Sequence, residues 1–243
     1  MSTVLITGGA SGLGKELVKS YLKEGYNVVF TYNSSDVNYD ELDDISSNYL
    51  AVKTDLSKEV DINNLVKESI SKYESIDILI NNAAVEIDKS FFDKTKEDFI
   101  KTLEVNVVAP FLLSRLVGKN MYDNKKGVII NISSNNSIDK YDPITLEYDA
   151  SKSALNSVSH NLAKEFSPYV RVNTIAPGWI LTDRIKELDK TLNGKFVEEE
   201  SNNILLNRFA TEEDIVNLVM FLTSEKASYI NDEIIRIDGG NKW

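Results

Sequence analysis

At 243 residues, with 42% hydrophobic and 27% charged residues, the chain has an ordinary globular composition and the length for one sizeable core. A formal net charge of −11 argues against general binding of nucleic acid or anionic membrane, since both ask for basic surface. With no cysteine and a single histidine, His160, there is no disulfide framework, no cysteine nucleophile and no metal cluster to expect, and a Ser-His-Asp site is disfavoured.

The chain opens on TVLITGGASGLGKEL, residues 3 to 17, where a strand-forming run at 4–7 meets Gly8, Gly9, Gly12 and Gly14. Glycine loses more backbone freedom on folding than any other residue, so the cluster needs a conformational reason. A tight βα turn is one; a backbone that must approach a pyrophosphate at a helix N-terminus is another. The early strand leaves no room for a leader and no apolar run approaches a membrane span, which implies a cytoplasmic protein.

Further strands are expected at 27–32, 49–53, 76–81, 128–133, 171–176 and 233–237, most of them continuous β-branched runs suited to burial on both faces. Helical patterns fall between them at 12–24, 59–73, 95–122, 148–166 and 211–223. Thr211, followed by Glu213 and Asp214, reads as a capped helix start. This alternation predicts one domain, a doubly wound α/β parallel sheet of about seven strands with helices on both faces. Residues 33–48 are polar with room for a short helix, and 182–207 are polar and irregular, a candidate substrate lid.

Two chemical features stand out. Tyr148 and Lys152 lie four apart on an expected helix and so share a face, where an ammonium favours the phenolate and tunes the tyrosine for acid–base work. Ser133 and Ser134 follow the strand at 128–133, at the end of the sheet where ligands bind. Alone, such a pair is more often a surface contact, and such serines are by default turn formers or caps.

In order along the chain, TGGASGLG, NNAA at 81–84, NVVAPF at 106–111, ISS at 132–134, YDASK at 148–152 and PGWILT at 177–182 closely resemble the short-chain dehydrogenase/reductase family, as does the tail from Asn207 to Gly240. The likeness is strongest to 3-oxoacyl-(acyl-carrier-protein) reductases and implies a Rossmann-type fold that reduces a ketone with NADP or NAD. It implies a catalytic set of Asn106, Ser134, Tyr148 and Lys152. Tyr148 would pass the proton, Lys152 would hold the nicotinamide ribose and lower the tyrosine pKa, and Ser134 would bind the substrate oxygen. Asn106 would hold a water linking Lys152 to solvent.

By the same resemblance Gly8, Ser11, Gly12, Leu13 and Gly14 surround the pyrophosphate, Asp55 and Leu56 meet the adenine, and Asn82 and Ala83 line the cofactor, with Tyr148 and Lys152 beside its nicotinamide. Pro177, Gly178, Ile180 and Thr182 would close over that end. Ala84 replaces the usual glycine, an added methyl beside the ribose. Asn33 and Ser34, at the end of the second strand, put neutral donors where NAD enzymes carry an acid, so the reading leans to NADP, although Ser11 replaces the base common in NADP relatives. Relatives that dock acyl carrier protein carry bases near the active-site mouth; Lys125 and Lys126 are candidates, while Ser167 to Tyr169 supply none. The alternatives are a sugar, polyol or small-alcohol dehydrogenase, or a nucleotide-binding protein without activity. A homotetramer formed through the helices at 95–122 and 148–166 and through the last strand is also implied. His160 is expected to be structural, and Trp179 to border the pocket or simply to pack.

Overall fold

The computed structural model describes residues 1–139 and 141–241. The chain order is β1 (Thr3–Ile6), α1 (Gly12–Lys23), β2 (Asn27–Tyr32), α2 (Tyr39–Asp43), β3 (Tyr49–Lys53), α3 (Glu59–Tyr73) and β4 (Ile78–Asn81). Then follow α4 (Lys96–Leu103), α5 (Ala109–Asp123), β5 (Gly127–Ile132), α6 (Leu146–Phe166), β6 (Val170–Pro177), α7 (Asp183–Thr191), α8 (Phe196–Ser201), α9 (Glu212–Thr223) and β7 (Ile234–Ile237).

All seven strands are parallel, in the order β3-β2-β1-β4-β5-β6-β7. Side chains alternate across each strand, so the two faces feed two cores. Val4, Ile6 and Phe30 pack with Leu17, Tyr21, Ile215 and Val219 of α1 and α9. Leu5, Val29 and Leu79 pack with Leu65, Leu113, Val117 and Phe166 of α3, α5 and α6. Burial on both faces is why the strands read as unbroken apolar runs. The order reverses between β1 and β4, which opens a crevice at their carboxyl ends. No described helix is long and apolar enough to cross a membrane.

Two expectations are corrected. The single helix expected at 95–122 is α4 and α5 joined by a π-helical turn, Glu104–Val108, an insertion that re-aims side chains and leaves the apolar periodicity intact. The segment 182–207 is not irregular: it carries α7, capped by Thr182 accepting from Ile185 N at 3.4 Å, and α8. Both helices are short, polar and without a buried residue, and Ile185 and Leu188 of α7 make too brief an apolar stripe to announce a helix. The short helix expected within 33–48 is α2, capped by Asn38, and α9 begins with the Thr211–Asp214 capping box.

Candidate active site

The glycine turn leaves β1 with Gly8 at φ +70 and enters α1. A Cβ on Gly14 would stand 2.0 Å from the Gly8 carbonyl oxygen, so only glycine lets α1 start this close to the turn. The turn is stitched to its neighbours: Gly8 N donates to Thr31 Oγ1 at 3.0 Å, and the Thr7 hydroxyl accepts from the backbone N–H groups of Asn82 and Ala83 at 2.9 and 3.0 Å. The Asn82 amide donates to Thr7 O at 2.9 Å. Ser11 precedes α1 without capping it through its side chain, and no acid stands in the helix's first turn, so first-turn N–H groups are available to an anion.

The crevice above this turn has a volume of about 570 Å³. Of the expected cofactor contacts, Gly8, Ser11, Leu13, Gly14, Asn33, Ser34, Asp55, Leu56, Asn82 and Ala83 line it, as does Ala84. Gly12 lies at its lip, where an added Cβ would sit 3.7 Å from Thr182 Cγ2. Asp55 is held by Ser57 and by an ion pair to Lys58 at 3.1 Å, which keep its carboxyl below the usual range. Lys101 of α4 also lines the crevice, a cation with no sequence signature of its own. A nicotinamide dinucleotide fits this set: a cradle that a Cβ would fill, an open helix N-terminus and polar walls. Pro177, Gly178, Ile180 and Thr182 run from β6 past this lip, with Ile180 bridged to Ala210 and Gly178 packed against Asp238.

Tyr148 and Lys152 of α6 meet Ser134 at the carboxyl end of β5. Lys152 is buried, its Nζ donating to Ile132 O at 2.8 Å and lying 5.4 Å from the centroid of the Tyr148 ring. Burial pushes its ammonium down to about 8, opposed by the Glu86 carboxylate. Burial pushes the Tyr148 phenol upward, the Glu86 charge adds to that, and the facing Ser134 hydroxyl works against it. The lowered tyrosine pKa expected from Lys152 is therefore not what this arrangement produces, because desolvation and the Glu86 charge outweigh the Ser134 hydrogen bond. The two serines divide their work. Ser133 Oγ is engaged with Ser137 Oγ and Lys152 O at 3.1 and 3.3 Å, whereas Ser134 faces the phenol.

Helix α6 is fixed against the sheet by a buried polar relay: Asn81 Nδ2 donates to Asn131 Oδ1 at 2.7 Å and Asn131 Nδ2 to Ser159 Oγ at 2.8 Å. Such a network, costly if broken, sets the register of Tyr148 and Lys152 over β5. Asp149, also buried, accepts from Asn136 Nδ2 at 2.8 Å and so ties the Ser134 turn to the same helix. Asn106 sits in the π turn. Its side chain accepts from Val85 N at 2.7 Å and donates to Val85 O at 2.9 Å and Ser151 Oγ at 3.0 Å. In this structure it is a brace for the loop at 85–90.

That loop supplies what sequence reasoning missed. Glu86 lies beside Tyr148 and Lys152, and burial and Asp88 raise its carboxyl. Lys94 donates to Ile87 O at 3.0 Å and pairs with the buried Glu147 at 2.7 Å. Arg184 of α7 reaches across to Asp88 Oδ2 at 3.3 Å and Glu86 Oε2 at 3.6 Å. Trp179 packs: its ring stacks on Phe209 at 5.6 Å and meets Phe196 of α8 edge-on at 5.3 Å. His160 is half exposed, with Nδ1 2.6 Å from Asp232 Oδ1. Lys125 and Lys126 immediately precede β5, at the amino ends of the strands, so the candidate docking bases lie at the opposite end of the sheet from Tyr148.

Comparison with known proteins points the same way. The model of short chain dehydrogenases matches residues 2–193. The NAD-dependent glycerol dehydrogenase of Listeria innocua is 34% identical over 237 residues, 97% of this chain and 92% of that protein. The 3-oxoacyl-(acyl-carrier-protein) reductase FabG of Aquifex aeolicus is 32% identical over 245 residues, 97% of this chain and 95% of that protein. Among solved structures, ElxO with NADP bound superposes with a TM-score of 0.91 at 25% identity, covering 98% of this chain and 97% of that one.

Proposed function

The chain belongs to the short-chain dehydrogenase/reductase family and is an NAD(P)-dependent oxidoreductase, and on that premise we propose that it interconverts a ketone and a secondary alcohol at Tyr148. The observation that carries this reading is the phenol facing the Ser134 hydroxyl, with the buried Lys152 ammonium 5.4 Å from its ring centroid.

A nicotinamide held by this cradle would supply or accept the hydride. Tyr148, kept protonated at neutral pH by its burial, donates its proton to the ketone oxygen and recovers it in the oxidative direction. Ser134 donates a hydrogen bond to that oxygen as charge builds there. Lys152, charged below about pH 8, stabilises the phenolate left behind and is the residue that would hold the ribose hydroxyls. Asn106 braces the opposite wall through Val85. Gly8, Ser11, Gly12, Leu13 and Gly14 would take the pyrophosphate, Asp55 and Leu56 the adenine, and Asn82 and Ala83 the ribose. The stretch from Pro177 to Thr182 would cover the nicotinamide, with residues 182–207 as a lid.

NADP is the preferred cofactor in this reading, because Asn33 and Ser34 present neutral donors at the end of β2 and Lys101 adds a cation to the wall. A 3-oxoacyl thioester is the first substrate reading, supported by the likeness of the C-terminal segment and by the Aquifex relative. Acyl carrier protein is then a partner that docks elsewhere than at Lys125 and Lys126, which stand at the far end of the sheet. Exposed Val108 and Phe111 on the expected interface helix at 95–122 support a homotetramer. The second reading, a small free alcohol or polyol, is favoured by the acidic loop beside Tyr148.

The test is NADPH oxidation with acetoacetyl-coenzyme A, repeated with NADH and with Tyr148→Phe. Turnover with NADPH that falls by roughly 10²- to 10⁴-fold in the variant, with cofactor binding kept, supports the assignment. Equal rates in the two proteins remove Tyr148 from the chemistry.

A further inference from the structure

Glu86 is held as a binding group is held. The residue before it, Val85, is clamped at both its N–H and its carbonyl by Asn106, at 2.7 and 2.9 Å. The residue after it, Ile87, is fixed through its carbonyl by Lys94 at 3.0 Å, and Lys94 in turn grips Glu147, the residue next to Tyr148. Two residues further on, Lys89 is tied to Asp98 at 2.7 Å. The backbone on either side of Glu86 is thus fastened to the same elements that carry the catalytic set.

The carboxylate itself is not spent. Its side chain is 30% exposed, and among the described residues it accepts no hydrogen bond and has one ion pair, to Arg184 at 3.6 Å. Arg184 is shared with Asp88, so the two carboxylates and one guanidinium leave a net negative charge at this wall. A partly desolvated carboxylate with open lone pairs gains most from a ligand that brings a donor. It repels a ligand that brings a second anion.

We propose that Glu86 is a specificity-determining residue, and that the substrate carries a hydrogen-bond donor, a hydroxyl or an ammonium, close to the carbon that reacts. This rests on Tyr148 being the proton-transfer group of a ketone–alcohol couple, and it deepens the second substrate reading, a small alcohol or polyol, against the thioester. The wall then selects 1,2-diols, α-hydroxyketones or amino alcohols over unsubstituted alcohols, and disfavours 2-hydroxy and 2-oxo acids, whose carboxylate would meet Glu86. Arg184 anchors α7 over the same wall, so the donor group completes a contact that Arg184 makes only at ion-pair range.

The experiment follows oxidation of four alcohols that differ only in the group beside the carbinol: 2-propanol, 1,2-propanediol, 1-amino-2-propanol and lactate, with NADP and with NAD. In the wild-type protein the diol or the amino alcohol should exceed 2-propanol in kcat/KM by about tenfold or more, the scale of one hydrogen bond to a charged group, and lactate should fall below it. The diol and amino-alcohol arms separate a hydroxyl from an ammonium. In Glu86→Leu the preference should collapse towards unity, and in Glu86→Gln the amino-alcohol preference should go first; the near-isosteric Gln variant carries the test if Leu unfolds the loop. A preference that survives in both variants overturns the assignment of Glu86. So does Tyr148-dependent reduction of acetoacetyl-coenzyme A by a protein that shows no preference among the four alcohols, an outcome that leaves the ketone–alcohol reading standing. Absence of any Tyr148-dependent turnover in either assay removes that reading, and this inference with it.

Discussion

The two walls of the cleft are held by different kinds of bond. On the cofactor wall, the turn from Thr7 to Gly14 is shaped by backbone: a positive φ at Gly8, a Cα where Gly14 admits no Cβ, and N–H groups bonded to Thr31 and Thr7. On the opposite wall, residues 85–90 are shaped by side chains from distant elements: Asn106, Lys94 with Glu147, and Arg184 with Asp88, the last pair 96 positions apart in the chain. A backbone-built wall suits a ligand whose shape does not vary, and a side-chain-built wall can be re-cut for new substrates by single substitutions.

The largest expected effect falls on the side-chain wall. Lys94→Met leaves the 1% exposed Glu147 without its cation, and breaking a buried pair in this way costs about 3–5 kcal/mol, measurable by urea denaturation. The loop should loosen with it, raising KM for the ketone more than KM for the cofactor. Gly14→Ala is the mirror experiment. Its methyl meets the Gly8 carbonyl at 2.0 Å, and the overpacking should cost about 1–3 kcal/mol while weakening the cofactor more than the ketone. If either variant raises both KM values equally, the division between the walls is wrong.

A third measurement joins the walls through their charges. Lys152 is pushed down to about 8 and Tyr148 upward, so Lys152 is charged below about pH 8 and loses its proton above it while Tyr148 stays protonated. The reductive kcat/KM should therefore fall above about pH 8 by up to about tenfold per unit, or about 1.4 kcal/mol. The Glu86 charge supports the ammonium, so Glu86→Gln should move that break to lower pH; a break that stays in place would separate Glu86 from the catalytic charges. The smallest effect belongs to Arg184→Ala. Its pairs are exposed at 3.3 and 3.6 Å, so the melting free energy should change by less than about 1 kcal/mol, while KM for the ketone changes through α7.

Much of this could be read in the chain beforehand. The β-branched runs marked seven strands to within two residues at their ends, and the capped start at Thr211 matched α9. The glycines of 8–14 and the Tyr148–Lys152 spacing pointed to the crevice because each depends on neighbours a few residues away. The π turn at Asn106 was not legible, since one inserted residue leaves an apolar pattern looking continuous. Helices α7 and α8 were hidden because they bury no residue of their own. Glu86 looked like any acid after NNAAV.

By itself, then, the sequence determined the alternation of elements, the glycine turn and the face shared by Tyr148 and Lys152, because local backbone preference and periodicity act over a few residues. Only the tertiary structure decided that burial raises the phenol, and that Lys125 and Lys126 stand at the wrong end of the sheet. It also brought Glu86 to the catalytic pair and Arg184 to Glu86. Desolvation and charge contact depend on distances in space, and chain separation does not encode those distances.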